Sequence, residues 1–366
     1  HDALPILALA QTALAYAMTE LTTDGEEDYE QCSLLCCSVS MIIPIEILSE
    51  TGWLSTADVY LLPVAISFLG FISVVSVYKG KKVNILHYVC GLICLWVGAN
   101  HEQTSLLMAG IIAVMIIIQI CQKKFSPFLA VQGAVVFVQV VRMLTWPANG
   151  NRIQTETAAY FPDYMSLNIV DKFYMGFQMT MEDLICEKAF VLLVFSIILA
   201  VIIWKKHIDI SMRIIAIIPI AILLIFGMLS SMLTGSFSGI ANIFSSNVNL
   251  DNFYSFRPYV GTLVSVWMIG NIIINIFLAF GDIAKSVLIS AVFAGGLCTR
   301  FIMGFSASCY ASGDRTAYIL FVTMSMLICV GLKELKRFTD EKGWNITRIL
   351  VYLSGMMGYI NFVLWV

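Results

Sequence analysis

The side chains in this chain that could do chemistry gather in a few short polar stretches. Asn100-His101-Glu102-Gln103 places a carboxylate, an imidazole and two amides in one turn. Arg152 and Glu156 stand four residues apart, close enough on a helix to share a face or to form a simple ion pair. Asp314 and Arg315 open an apolar run after the polar segment Ser306–Gly313. A carboxylate within reach of a hydroxyl can take its proton, and a planar guanidinium binds phosphate oxygens two at a time. Arg315 falls in the first turn of its expected helix, where a cation opposes the helix dipole, so its placement points to an anionic partner. Together these groups suit a substrate with an anionic head and a lipid tail.

The lipid tail is implied by the elements that must position these groups. The chain has 366 residues, 59% hydrophobic and only 12% charged, against about 25% charged in soluble domains. Its mean hydropathy is +0.88. Apolar runs bounded by polar turns predict about twelve membrane-spanning helices, including residues 3–22, 33–49 and 83–99. The runs Val83–Val97 and Leu106–Cys121, if continuous, would make one helix of roughly 40 residues, about twice what a bilayer requires. The chain must therefore turn at Gly98–Ser105. The fold class is an all-α polytopic bundle, a single integral membrane domain over residues 1–366, with no internal repeat and no soluble domain. A net charge of −3 and the lack of a basic patch argue against a nucleic-acid partner.

Lys and Arg concentrate in alternate loops, at Lys79–Lys82, Lys123–Lys124, Lys205–Lys206 and Lys333–Arg337, which makes that face cytoplasmic. The polar stretches then lie outside, together with two long outer loops at 147–186 and 234–258. Counting back, His1 also lies outside, which predicts a further helix upstream. Within the outer loops Leu167–Gln178 reads as a short interfacial helix. Ser55 or Thr56 could cap the helix that contains Pro63, and Asp314 the one that follows it. Arg300 and Arg257 are further candidate cations. The ten cysteines lie mostly in apolar runs, where they behave as small hydrophobes; Cys186 and Cys309 both lie outside and could pair.

Four motifs, in order, resemble a bacterial membrane family catalogued as domain of unknown function 6056. They are Gly52-Trp53-Leu54-Ser55-Thr56 with Tyr60-Leu61-Leu62-Pro63, Ala99-Asn100-His101-Glu102-Gln103, Pro147-Ala148-Asn149-Gly150-Asn151-Arg152 with Phe161-Pro162-Asp163-Tyr164, and Tyr310-Ala311-Ser312-Gly313-Asp314-Arg315-Thr316. The family's Pro-Gly-Asn turn reads Pro-Ala-Asn-Gly-Asn here. That family is similar to glycosyltransferases of the GT-C fold. The resemblance implies transfer of a sugar from a polyprenyl-phosphate donor to a cell-envelope glycan or lipid acceptor, on the outer face of the bacterial plasma membrane. It implies Glu102 or Asp2 as catalytic base, Asp2 being the remnant of an acidic first outer loop. Arg315 and Arg152 would bind phosphate. His101, Gln103 and Asn149 would bind sugar, with Glu156, Trp53 and Thr56 completing the substrate site. Some GT-C enzymes use a divalent cation and others none, so no cofactor is assigned.

The rival class is a transporter or flippase of a lipid-linked or small anionic substrate. Transporters place ionisable groups near the bilayer midplane, often within repeated halves, whereas here they gather at one surface. The orientation is testable by single-cysteine labelling in a cysteine-free background. Positions 102, 152, 247 and 314 should react from outside, and 81, 124, 206 and 337 only from inside. Position 102 reacting from the cytoplasm would contradict this reading.

Overall fold

A computed structural model describes residues 4–23, 29–229, 244 and 256–365, and among them every element is helical. In chain order the helices are α1 (Leu4–Thr22), α2 (Tyr29–Ser40), α3 (Ile45–Thr51), α4 (Ala57–Tyr78), α5 (Ile85–Gly98), α6 (Glu102–Cys121), α7 (Pro127–Leu144), α8 (Ala148–Tyr160), α9 (Ile169–Glu182), α10 (Ala189–Lys206), α11 (Ile210–Met228), α12 (Arg257–Phe280), α13 (Ile283–Phe301), α14 (Tyr318–Lys336) and α15 (Glu341–Trp365). Nine helices of the described chain are long and apolar enough to cross a membrane, and a bent pair raises this to ten. The protein is built as a multi-pass membrane protein.

The difference from about twelve spans lies in three segments. Helix α1 forms over Leu4–Thr22, but Gln11, Thr12 and Thr19 dilute it; Gln11 and Thr19 are buried against the bundle. The 33–49 run breaks at Pro44 into α2 and α3, which meet at 84°, because proline cannot donate the hydrogen bond that would continue the helix. Helix α5 has 14 residues, about 21 Å of helix against a hydrocarbon layer of about 30 Å. It begins late because Asn84 is extended and its side chain caps the helix by accepting from Leu86 N.

Helix α14 is the pillar of the bundle. The span Asp314–Lys336 is 83% buried inside the protein, against 11% for the peripheral Glu341–Leu364. Helices α1, α4, α6, α13 and α14 pack in sequence around a ring that closes from α14 back onto α1. Buried glutamines tie the flanking helices together: Gln132 Nε2 donates to Ser73 Oγ (3.0 Å) and Gln139 Nε2 to the Trp96 carbonyl (2.6 Å). Bonds of this kind contribute about 0.6 kcal/mol each in lipid.

The interfacial helix expected at Leu167–Gln178 is α9, shifted toward the C-terminus. Asn168 caps it and Asp171 closes a reciprocal capping box. Ile169, Val170 and Phe173 are exposed on one side, while Phe177, Thr180 and Met181 are buried. The helix lies directly on the end of α13, because Gly176 and Gly304 let the two backbones touch.

Helices α4 and α5 are equally close. A Cβ on Gly98 would fall 2.6 Å from Ser67 N and 2.7 Å from its Cα, whereas one on Gly110 in α6 would meet nothing within 4 Å. Gly98→Ala should therefore cost about 1–3 kcal/mol, read as a lower thermal midpoint in detergent. Gly110→Ala should be neutral or slightly stabilising. Equal midpoints for the two variants would mean that the α4–α5 contact is looser than described.

Candidate functional site

The polar stretches converge at one end of the bundle. The turn before α6 is fixed from below by Gln103, whose Nε2 donates to the carbonyls of Thr299 (2.8 Å) and Thr316 (3.3 Å). This clamps the start of α6 to α13 and to the turn that leads into α14. From the side, Arg142 donates to Asn100 Oδ1, and its guanidinium lies 5.9 Å from the ring centroids of Trp96 and Trp146. The His101 ring stacks at a tilt on Tyr60, 5.0 Å between centroids. Burial, then the nearby Arg152 charge, lowers the His101 pKa from 6.5 to about 4. His101 is therefore a neutral hydrogen-bonding group at neutral pH.

Helix α8 brings Arg152 and Glu156 over this turn. Arg152 Nε lies 2.8 Å from Glu156 Oε1, and Arg152 Nη1 lies 3.8 Å from Glu102 Oε1. Ser306 Oγ donates to Glu156 Oε2 at 3.1 Å. Burial alone would raise the Glu156 pKa, but the bond and charge of Arg152 and the Ser306 and Ser308 hydroxyls outweigh it and hold the carboxyl below its ordinary value. Arg152 is thus committed to Glu156, whereas Glu102 accepts no hydrogen bond from the protein side chains described and stays 42% exposed.

Arg315 closes the opposite wall. Its backbone N donates to Glu50 Oε2 at 3.0 Å. Its side-chain Nε is shielded from solvent and has no hydrogen-bond partner. Thr56, Tyr60, His101, Glu102, Gln103, Arg152, Glu156, Ser308, Ser312 and Arg315 all line one cavity of about 480 Å³. A cleft of about 280 Å³ adjoins it and shares Glu102, Arg152 and Glu156. The rest of that cleft is largely apolar, with Leu106, Val140, Leu144, Ile302 and Phe305 in its walls. A polar chamber and an apolar cleft meeting at two carboxylates and an arginine can take an amphiphile with a charged head.

Of the ten residues given a site role in the sequence, seven meet here: Thr56, His101, Glu102, Gln103, Arg152, Glu156 and Arg315. Trp53 is 63% exposed and does not line the cavity. Asp2, the side chains of Asn149 and Arg257, and most of the 234–258 loop lie outside the described residues.

Four local expectations are corrected. Asp314 does not cap a helix; the preceding position is Gly313 at φ +63°, and Asp314 instead meets Lys188 Nζ at 3.0 Å. Thr56 does not cap α4 either, since its Oγ1 donates to the carbonyls of Glu50 (2.7 Å) and Trp53 (3.0 Å) and closes the preceding loop. Arg300 is not a ligand-facing cation: it is 4% exposed and reaches Asp183 Oδ2 through Nη2 at 3.0 Å and Nε at 3.2 Å. Cys186 and Cys309 are free thiols, and the Cys309 Sγ lies against the Met175 sulfur.

The sequence reading missed the groups that hold the site. Asp183 is 3.4 Å from Lys188 as well as bonded to Arg300, and Lys188 links onward to Asp314. Glu50 joins α3 to Arg315. The only signal for Asp183 and Lys188 was the density of charge in Glu182–Lys188, at the end of an amphipathic segment.

Comparison of the chain with protein-family models, curated proteins and solved structures finds no match.

The His101 geometry gives a pH prediction. Between pH 6.5 and about 4 the unfolded chain binds a proton at His101 that the folded chain does not, so stability falls as the pH drops through that window. Lowering the pH from 7 to 5 should cost up to about 2 kcal/mol through this residue. His101→Gln should flatten that part of the profile in a thermal-denaturation series. Parallel pH profiles for wild type and variant would contradict the burial assigned to the ring.

Proposed function

We propose that the protein is a membrane glycosyltransferase of the polyprenyl-phosphate-dependent kind, working at the outer face of a bacterial plasma membrane. The observation that carries this reading is the meeting of Glu102, Arg152 and Arg315 in one chamber that continues into an apolar cleft. The chamber matches a phosphosugar head and the cleft an isoprenoid tail. The resemblance of four motifs to a family similar to GT-C enzymes points the same way.

In the proposed reaction Glu102 takes the proton of an acceptor hydroxyl on a cell-surface glycan or lipid. The hydroxyl oxygen attacks the sugar's anomeric carbon from the face opposite the phosphate. The bond between that carbon and the phosphate oxygen breaks in the same step, so the configuration inverts and polyprenyl phosphate leaves with the electron pair. Negative charge grows on the phosphate, and a fixed cation there lowers the barrier. Arg315 has the free side-chain donor for this role. Arg152, engaged by Glu156, aligns Glu102 and adds positive charge. Neutral His101 would hydrogen-bond sugar hydroxyls, while the Gln103 amide NH₂ is spent on the backbone and leaves only its buried Oε1 as an acceptor. Asp2 is the alternative base. Among the described residues no three His, Cys, Asp or Glu side chains converge as metal ligands. Glu156 is also occupied by Arg152 and Ser306, so these residues do not fit a divalent cation and no step is assigned to one.

A flippase or transporter of a lipid-linked anion is the second reading. A second cavity lies between α1, α4, α6, α13 and α14, with Thr104 in its wall at the start of α6 and Lys333 and Arg337 at its other end.

Substitutions separate the roles in proteoliposomes supplied with a panel of polyprenyl-phosphate sugars, with thermal stability read in parallel. Arg315→Ala removes no described side-chain bond, so stability should hold while turnover falls by on the order of 10²-fold or more. Arg315→Lys should rescue only in part, because a point charge cannot reproduce the planar fork. Glu102→Gln should abolish transfer and leave donor binding. Sugar movement across the bilayer without transfer would favour the flippase. Activity falling only in proportion to stability in Arg315→Ala would make that residue structural.

A further inference from the structure

Three hydroxyls beside the chamber are bonded unlike others in the protein. Buried serines and threonines in the described helices commonly donate to a carbonyl of their own helix. Thr180 does so to Gly176 O (2.7 Å), Ser196 to Leu192 O (2.8 Å) and Thr323 to Ile319 O (2.7 Å). Ser306, Ser308 and Ser312 bond to one another instead. Ser312 Oγ donates to Ser308 Oγ at 3.1 Å, Ser308 and Ser306 Oγ lie 2.9 Å apart, and Ser306 Oγ donates to Glu156 Oε2 at 3.1 Å. Ser308 and Ser312 line the chamber, and Ser306 the adjoining cleft.

The backbone sets this order. One helical turn, closed by Ser312 N onto the Ser308 carbonyl at 2.8 Å, puts those two hydroxyls on one side. Ala307 and Cys309, on either side of Ser308, are almost wholly buried and hold the segment down.

Glu156 sets the direction of the chain. Arg152 and the hydroxyls hold it below its ordinary pKa, so at neutral pH it is a carboxylate and can only accept. A hydroxyl has one hydrogen to give. Ser306 gives its hydrogen to Glu156, so Ser308 donates to Ser306, as Ser312 donates to Ser308. Ser306 also accepts from Ser308 N at 3.4 Å, which fills both of its lone pairs. At the far end Ser312 has spent its hydrogen and keeps two lone pairs. Among the described residues no group donates to them. Bonds in such a chain polarise one another, and this one presents an acceptor to whatever enters the chamber.

We propose that Ser312 accepts a hydrogen bond from one hydroxyl of the donor sugar, oriented by the Ser308–Ser306–Glu156 chain, and that this bond selects among sugars. The inference rests on the glycosyltransferase reading and deepens it, because it separates recognition of the sugar from that of the phosphate at Arg315. A site built to bond a substrate hydroxyl rejects the analogue that lacks it far better than an apolar pocket can.

The test measures binding to the full chain in detergent by native mass spectrometry. The probes are bare undecaprenyl phosphate and undecaprenyl phosphates carrying glucose, mannose, galactose, N-acetylglucosamine or arabinose, with monodeoxy analogues of the sugar bound most tightly. Wild type should bind one of these sugars about tenfold or more tighter than the bare lipid, and one deoxy analogue should lose that gain. Ser312→Ala should bind the parent and that analogue alike, with affinity for the bare lipid at the wild-type value. Ser306→Ala, which cuts the chain away from the chamber, should lose part of the same discrimination. Ser312→Cys keeps the shape with a weak acceptor and gives the same comparison should Ser312→Ala fail to fold. A deoxy penalty that persists in full in the folded Ser312 variant would overturn the inference and leave the glycosyltransferase reading standing. So would wild type preferring no sugar-bearing lipid to the bare one, or a Ser312 variant that loses both equally. Full discrimination in Ser306→Ala would overturn the role of the chain. Wild type binding no polyprenyl phosphate at all would overturn the glycosyltransferase reading, and this inference with it.

Discussion

The arrangement at the site end depends on one buried set of charges. Asp183 lies between Arg300 and Lys188, and Lys188 reaches on to Asp314. Asp183, Arg300 and Lys188 are each less than a tenth exposed. A charge taken out of water costs several kcal/mol unless it is paired and hydrogen-bonded. Each member is therefore held in place by the others. Arg300 Nη1 also reaches the Gly313 carbonyl at 3.4 Å. The network thereby joins the end of α9, the last turn of α13 and the left-handed turn at Gly313. That turn sets the direction of Arg315 and the start of α14, the most buried span of the described chain. Removing Asp183 alone would strand Arg300 in the interior without a carboxylate, which is far worse than never having buried it.

From that anchor the site follows by short steps. Glu50 receives the Arg315 backbone N, and the Thr56 hydroxyl closes the Glu50 loop. Gln103 ties α6 to the backbone on both sides of the same turn, at Thr299 and Thr316. The result is a polar floor separating two spaces of opposite character. On one side is a chamber where Glu102 is exposed and the Arg315 Nε is unengaged. On the other is a long, largely apolar lumen.

Much of the helical layout was legible in the sequence, because apolar runs and basic loops report directly on what lipid tolerates. The exceptions have local causes. Pro44 breaks a run whose hydropathy is continuous, and Asn84 starts α5 too late for a full crossing. The polar residues that dilute α1 proved to be partly a packing surface, with Gln11 and Thr19 buried. Within the site, Glu102, Arg152 and Arg315 were legible as residues that apolar packing does not require. Asp183 and Lys188 were not. In sequence they read as charges in a polar loop, and only the close crossing of α9 over α13 at Gly176 and Gly304 buries them. Whether a loop charge meets water or protein is settled by tertiary contact, which no local pattern encodes. Thr56 and Asp314 misled for a related reason, since both have nearer partners than the helix ends they precede.

The central claim is that Arg315 and the Glu102–Arg152 pair face the head of one lipid-linked anion, whose chain enters the cleft beside Val140, Leu144 and Phe305. The most direct measurement is a cryo-electron microscopy structure of the full chain in a lipid nanodisc saturated with polyprenyl phosphate. The account predicts phosphate oxygens within hydrogen-bonding distance of the Arg315 guanidinium, with isoprenoid density running into that cleft. A phosphate bound elsewhere, with Arg315 turned onto a protein carboxylate, would contradict it.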